Sequence, residues 1–124
     1  METQLQVLVE LTIAEGKVEE FKTQMPPIIE KVMANEPDML GYQWYLNQDQ
    51  KKCYIIEWLK NSEAWLTHVS NVESMLPPLF AIAPITRCEF FGNVSEAVEE
   101  AIVTISARFN LDIINHKYLA GFIR

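Results

Sequence analysis

The chain has 124 residues, of which 49% are apolar and 22% charged, and its formal net charge is −7. This length and composition predict one globular domain with a core of its own. An acidic chain without clustered Lys and Arg argues against binding to nucleic acid or to an anionic membrane surface. No apolar run reaches the ~20 residues of a membrane span, and the N-terminus lacks the basic segment and cleavage motif of a signal peptide, so we expect a cytoplasmic protein.

The first two predicted elements are a strand and a helix. Every second residue from 5 to 13 is apolar, and a repeat of two is the period of a strand. From Gly16 onward the apolar residues recur at spacings of three and four, which predicts a helix that ends near Glu36-Pro37. Pro26-Pro27 lies inside this helix, and we expect a kink there or a break and restart.

Residues 41–46 and 53–59 predict a β-hairpin joined by the polar turn NQDQK. Both faces of these strands are largely apolar, whereas an antiparallel sheet with one solvated face shows polar residues on that face. Helices of this short chain can cover only one face, so we expect a second copy to cover the other. In the second of these strands one face carries Cys53, Ile55, Glu57 and Leu59, and the other carries Tyr54, Ile56 and Trp58.

The second half begins with a helix that Asn61 or Ser62 caps. Pro77-Pro78 predicts a break and a second short helical piece, and residues 85–92 predict a fourth strand. Ser95 caps a further helix that runs to about Phe109, and we expect the tail to pack across the domain as a closing segment.

This order predicts an α+β fold of the ferredoxin-like type, a split βαβ arrangement with helices on one face of an antiparallel sheet. We interpret residues 1–124 as one domain, with the ferredoxin-like core at about 1–93 and the C-terminal helix and tail at 94–124.

The ordered motifs resemble those of the antibiotic biosynthesis monooxygenase (ABM) family. They are a helix ending in NEP, then LGYQWYLNQD, a third strand with Glu57, and the helix segment AWLTH; HVSNVESMLPPLF, ITRCEFFG, SEAVEEAI and GFIR resemble a quinol monooxygenase-like subgroup. The resemblance implies a homodimeric α+β barrel with a small-molecule pocket and cofactor-independent oxygenation of electron-rich aromatics. Haem-degrading relatives carry an Asn in the first strand, where this chain offers Gln4 and Gln6, so we expect no haem.

His68 and Glu57 are the candidate catalytic residues. Histidine starts with a pKa near working pH, as a general base requires, and the helical spacing directs His68 toward the sheet. A carboxylate on an apolar strand face is costly unless it has a partner, so Glu57 either orients His68, acts as a base itself, pairs with Arg87 or Lys60, or contacts a partner subunit. A purely structural histidine that packs on the sheet is the alternative for His68.

The candidate substrate-binding residues are mostly aromatic, and plain core packing is the alternative for each. They are Tyr42, Trp44, Tyr54, Trp58, Trp65, Asn71, Phe80 and Phe90. Asn71 could instead cap the helix break, and Arg124 is a candidate carboxylate partner at the pocket mouth or an exposed C-terminal residue.

The two cysteines, Cys53 and Cys88, lie in apolar runs and have no neighbouring His/Cys cluster, so we expect no metal site and no disulfide. Three functions remain open. The first is a monooxygenase acting on a small quinol-like aromatic, with His68 or Glu57 deprotonating a phenolic hydroxyl. The second is an isomerase or lyase that uses the same pair, and the third is a dimeric small-molecule-binding protein without catalysis.

Overall fold

The computed structural model describes residues 4–124; residues 1–3, where the N-terminal segment discussed above begins, lie outside the described residues. The elements follow the predicted order. They are β1 (Leu5–Thr12), α1 (Val18–Asn35), β2 (Met39–Leu46), β3 (Lys52–Leu59), α2 (Ser62–Val72), α3 (Leu76–Ile82), β4 (Ile85–Phe91), α4 (Glu96–Phe109) and β5 (Ile113–His116).

The strands form one sheet in the order β2-β3-β1-β4-β5. The first four strands pair antiparallel, which confirms the predicted ferredoxin-like α+β fold. The C-terminal tail differs from the prediction, because β5 pairs in parallel with β4 and makes the sheet mixed. A parallel neighbour needs a crossover connection, and α4 supplies it.

The helices cover one face of the sheet, here called the inner face. Alternation along the strands directs apolar side chains into this layer, and the core there is divided into two clusters. Ile55 and Leu11 belong to the cluster that packs with α1 and α3, and Phe90 and Val7 to the cluster that packs with α2 and α4.

The two pairs of prolines have different outcomes. Pro26 and Pro27 lie inside α1, yet the helix runs unbroken, so the predicted break does not occur there. Phe21, Ile28 and Val32 on both sides of the prolines are buried, and this packing holds one helix together. Pro77-Pro78 instead occupies the first turn of α3, where a missing N–H costs nothing, which confirms the predicted break after α2.

On the opposite face of the sheet, here called the outer face, no helix lies within residues 4–124. Leu8, Tyr54, Ile56 and Trp58 lie half-buried on it. At its β4 and β5 side Glu89 pairs with Arg87 and with His116, and the His116 Nε2–Glu89 Oε1 distance is 2.8 Å. Arg87 is therefore engaged on the outer face and is not the partner of Glu57.

Candidate active site

A cavity of about 330 Å³ lies between the inner face of the sheet and the helices. Its wall is mostly apolar, and the charged residues in it are few. Those that contribute to the wall are Glu57, His68, Glu73 and Arg108. A largely apolar cavity with a few converging polar groups is the usual form of a small-molecule site.

Glu57 reaches this cavity from the middle of β3. The strand alternates buried and half-buried residues, and Glu57 falls on the inner side, opposite Val7 of β1 and Tyr42 of β2. Only 4% of its surface is exposed. The strand geometry thus forces a carboxylate into the apolar layer, where it needs a partner of opposite charge.

His68 is that partner, and it comes from α2. The Asn61 side chain caps this helix by accepting a hydrogen bond from the backbone N–H of Ala64 at 2.9 Å. The buried stripe of the helix, which includes Ala64 and Val72, also contains His68. Its Nε2 lies 3.3 Å from Glu57 Oε2, so the two candidate catalytic residues face the same layer.

Glu36 completes the cluster and was not among the sequence candidates. It caps the C-terminus of α1, is 5% exposed, and its Oε1 and Oε2 lie 2.9 and 3.1 Å from His68 Nδ1. The sequence pattern marked it only as the end of a helix before Pro37. A clue was available, since a helix C-terminus disfavours a carboxylate unless another group neutralises it.

Asn71 holds Glu36 in place rather than lining the main cavity. Its Nδ2 donates to Glu36 Oε2 at 2.7 Å, and Asn35 donates to the Asn71 side-chain oxygen at 3.3 Å. One turn of α2 separates Asn71 from His68, so a single helix supplies both contacts to Glu36.

The two carboxylates change the charge state of His68. Burial lowers the pKa of His68, but attraction to Glu57 and hydrogen bonds to Glu36 and Glu57 outweigh it and raise the pKa to about 10. An imidazolium with both nitrogens engaged cannot take a proton at neutral pH. The expectation of an ordinary histidine pKa near working pH is therefore wrong.

Two buried polar atoms beside the cavity form no hydrogen bond with any described residue. They are Glu57 Oε1, an acceptor, and Trp44 Nε1, a donor. Both residues contribute to the cavity wall. Buried polar groups in native proteins are nearly always satisfied, so an unsatisfied donor and acceptor at one cavity require an explanation.

Comparison with known proteins adds a family to this geometry. The sequence profile of the antibiotic biosynthesis monooxygenase (ABM) family matches residues 5–74, more than half of the chain. The chain belongs to the ABM family. No curated protein matches the sequence.

Solved structures share the ABM fold. MupZ from Pseudomonas fluorescens superposes with a TM-score of 0.79 and 21% identity, over 98% of this chain and 95% of MupZ. A protein from Caulobacter crescentus CB15, named provisionally as an antibiotic biosynthesis monooxygenase, gives a TM-score of 0.67 and 19% identity over 76% of this chain and 92% of its own. A conserved protein from Methanosarcina mazei Go1 superposes with a TM-score of 0.62 and 17% identity, over 72% of this chain and 89% of its own. Of these three, MupZ shares the fold over nearly the whole length of both chains.

The aromatic candidates of this ABM protein divide between the two faces of the sheet. Tyr54 and Trp58 lie on the outer face and do not reach the cavity, because strand alternation sends them away from Glu57. The candidates that do contribute to the cavity wall are Tyr42, Trp44, Trp65, Phe80 and Phe90.

Residues of α3 and of the end of α4 form one part of the cavity wall. Phe80 and Phe109 meet there edge to face, with ring centroids 5.8 Å apart, and Arg108 lies beside Phe109. Arg124 does not contribute to the cavity wall, since its guanidinium lies over the ring of Phe122 in the tail. Arg108, and not Arg124, is therefore the arginine that contributes to the cavity wall.

The cysteines and the acidic residues form no metal site within residues 4–124. The two acids near His68 lie on opposite nitrogens of the ring, so the three side chains do not converge on one point. Cys53 and Cys88 are free and buried, and strand β1 separates them in the sheet. Among the described helices of this ABM protein, none is long and apolar enough to cross a membrane.

Proposed function

We propose that this ABM protein is a cofactor-independent monooxygenase that oxidises a small, electron-rich, quinol-like aromatic. The observation that carries the proposal is the unsatisfied Glu57 Oε1 in an apolar cavity, beside an imidazolium that engages the other oxygen of the same carboxylate. An acceptor in this position suits the hydroxyl of a bound phenol.

Glu57 is the proposed general base, and His68 is not. The phenolic O–H donates to Glu57 Oε1 and transfers its proton there, which leaves a phenolate in the cavity. His68 stays protonated and supplies a fixed positive charge next to the developing anion. The apolar walls keep water from the phenolate, whose electrons are then available to dioxygen.

The reaction balances without another reductant. The phenolate passes one electron to dioxygen, and the resulting superoxide forms a C–O bond with a ring carbon. Glu57 returns its proton to the peroxide; the O–O bond then breaks, and the ring C–H proton leaves with the departing hydroxide as water. A hydroquinone and one dioxygen thus give one hydroxybenzoquinone and one water, and the substrate supplies both electron pairs.

Glu36 and Asn71 are proposed as positioning residues. Glu36 binds the far nitrogen of His68, and Asn71 fixes Glu36, so the ring is held from behind while Nε2 faces Glu57. With an acid on each nitrogen the ring keeps its proton and its orientation throughout the reaction.

The proposed assembly is a homodimer in which two outer faces pack together. The half-buried Leu8, Tyr54, Ile56 and Trp58 on a helix-free face support it, because such a face on a single chain leaves much apolar surface in water. The tail adds further exposed apolar residues, with Leu119 94% exposed. Face-to-face sheets about a two-fold axis would bury the outer face of both copies.

Oxygen uptake with a panel of hydroquinones and naphthohydroquinones tests the reaction, with uncatalysed autoxidation subtracted. We expect the protein to consume one dioxygen molecule for each product molecule and to show no turnover under argon. Turnover that continues without oxygen would refute the monooxygenase reaction and indicate an isomerase or lyase that uses the same carboxylate. Tight binding with no turnover in either atmosphere would identify a ligand-binding protein.

A further inference from the structure

The unsatisfied Trp44 Nε1 has no role in the deprotonation described above. Trp44 lies on β2 opposite Ile55, and Glu57 is two residues further along β3, so Trp44 and Glu57 are diagonal neighbours on the inner face. Their side chains start roughly 7–8 Å apart, a distance that one aromatic ring system with substituents spans.

The indole N–H of Trp44 forms no hydrogen bond with any described residue. Its ring packs edge to face against Tyr42, with centroids 5.7 Å apart, and lies tilted by 45° against the ring of Phe21, with centroids 6.1 Å apart. Burial raises the pKa of Tyr42, and the nearby indole N–H of Trp44 opposes this rise. The two groups nevertheless do not form a hydrogen bond. A buried N–H without an acceptor costs free energy that a ligand oxygen would recover.

We infer that Trp44 is a specificity-determining residue whose indole N–H donates to an acceptor oxygen of the same ligand that donates its hydroxyl to Glu57. The inference rests on the proposed function only in taking the cavity ligand to be the substrate. The substrate class is then an aromatic with two oxygens, a hydroxyl at one end and a carbonyl or second hydroxyl oxygen at the other.

The proposed hydrogen bond from Trp44 to the ligand is tested by measuring the binding of two ligands to two forms of the protein. Calorimetry under argon measures binding without oxidation of the ligands. The probes are 5-hydroxy-1-tetralone, which has both oxygens, and 5,6,7,8-tetrahydro-1-naphthol, which lacks the carbonyl. In the unmodified protein, loss of the carbonyl should weaken binding about three- to tenfold. In Trp44→Phe the two probes should bind equally, because the donor is gone while the ring remains.

Trp58→Phe is the matched control, since Trp58 lies on the outer face away from the cavity. It should preserve the carbonyl preference. An equal preference in Trp44→Phe and in the unmodified protein would overturn the inference, as would no preference in either. Failure of both probes to bind would also overturn it.

A spectroscopic measurement keeps the test valid if Trp44→Phe does not fold. The chain has three tryptophans, so the ¹⁵N spectrum of the unmodified protein should show three indole signals. The Trp44 N–H proton should move downfield with 5-hydroxy-1-tetralone and not with the naphthol; no such difference would overturn the inference. If the protein consumes no oxygen with any quinol, the proposed reaction is refuted. The binding result for Trp44 does not depend on that outcome.

Discussion

His68 lies between two acids, with Nδ1 at 2.9 Å from Glu36 Oε1 and Nε2 at 3.3 Å from Glu57 Oε2. Three different elements supply these residues: the end of α1, the inner face of β3 and the buried stripe of α2. The arrangement fixes a positive charge at the cavity wall and leaves Glu57 Oε1 without a partner.

Stability should fall as pH rises above neutrality, because of His68. Its pKa is about 10 in the folded protein and about 6.5 in an unfolded chain, so its contribution is complete below about pH 6.5 and declines toward pH 10. Between pH 7 and 8.5 the free energy of unfolding should fall by up to about 1.4 kcal/mol per pH unit. Urea unfolding at several pH values measures this slope.

His68→Gln should flatten that slope, and His116→Gln is the matched control. His116 lies on the outer face with a side chain 43% exposed, so its replacement should leave the slope intact. A slope that survives in His68→Gln would show that the imidazole does not hold its proton as described.

Glu36→Gln should lower the pKa of His68 while the fold persists. Glutamine keeps the shape and an acceptor for Nδ1 but removes one of the two negative charges that raise the pKa. NMR titration of the His68 ring protons measures the change. Glu63→Gln is the control, because Glu63 is exposed on α2, the helix that carries His68. An unchanged pKa of His68 in Glu36→Gln would contradict the interaction between Glu36 and His68.

Asn71→Ala should destabilise the protein by about 1–3 kcal/mol and reduce kcat more than it raises KM. The buried Glu36 Oε2 would lose its 2.7 Å donor and the support of His68 would loosen. Ser70→Ala, at an exposed neighbouring position, should change neither quantity. An effect on KM alone, with stability unchanged, would instead indicate that Asn71 contacts the substrate.

Ile56→Glu should convert the proposed homodimer into monomers at micromolar concentration. A charge in the centre of the outer face would be buried without a partner in an interface of roughly 1,600 Å². Light scattering during gel filtration measures the mass. Met33→Glu, on an exposed position of α1, should leave the dimer intact, and a monomeric unmodified protein would refute the assembly.

Much of the fold could be predicted from local patterns. The period of two identified β1, β2 and β3, and prolines and caps placed the boundaries of α2, α3 and α4. Two features depend on tertiary packing, and local patterns did not decide them. The burial of residues on both sides of Pro26-Pro27 keeps α1 continuous, and β5 forms because the edge of β4 is available for pairing.

The candidate site was predictable only within single elements. Alternation placed Glu57 on one strand face with Cys53 and Ile55 but did not decide whether the helices or a partner subunit cover that face. Helical spacing directed His68 toward the sheet. Glu36 is 32 residues away from His68 and ends a helix, so no local period marks it as a partner. The raised pKa of His68 comes from Glu57 and Glu36 together, which the fold brings to opposite nitrogens of the ring. Local patterns cannot show this pairing, so they left both His68 and Glu57 open as the base.

The measurement that tests the central claim most directly is oxygen uptake by Glu57→Gln with the best quinol substrate. The variant keeps a side chain of the same shape but loses the proposed base, so kcat should fall about 10²–10⁴-fold with the fold unchanged by circular dichroism. Oxygen-18 gas should label the product of the unmodified enzyme with one atom per turnover. A Glu57→Gln variant that consumes oxygen at the unmodified rate would contradict the assignment of Glu57 as the base.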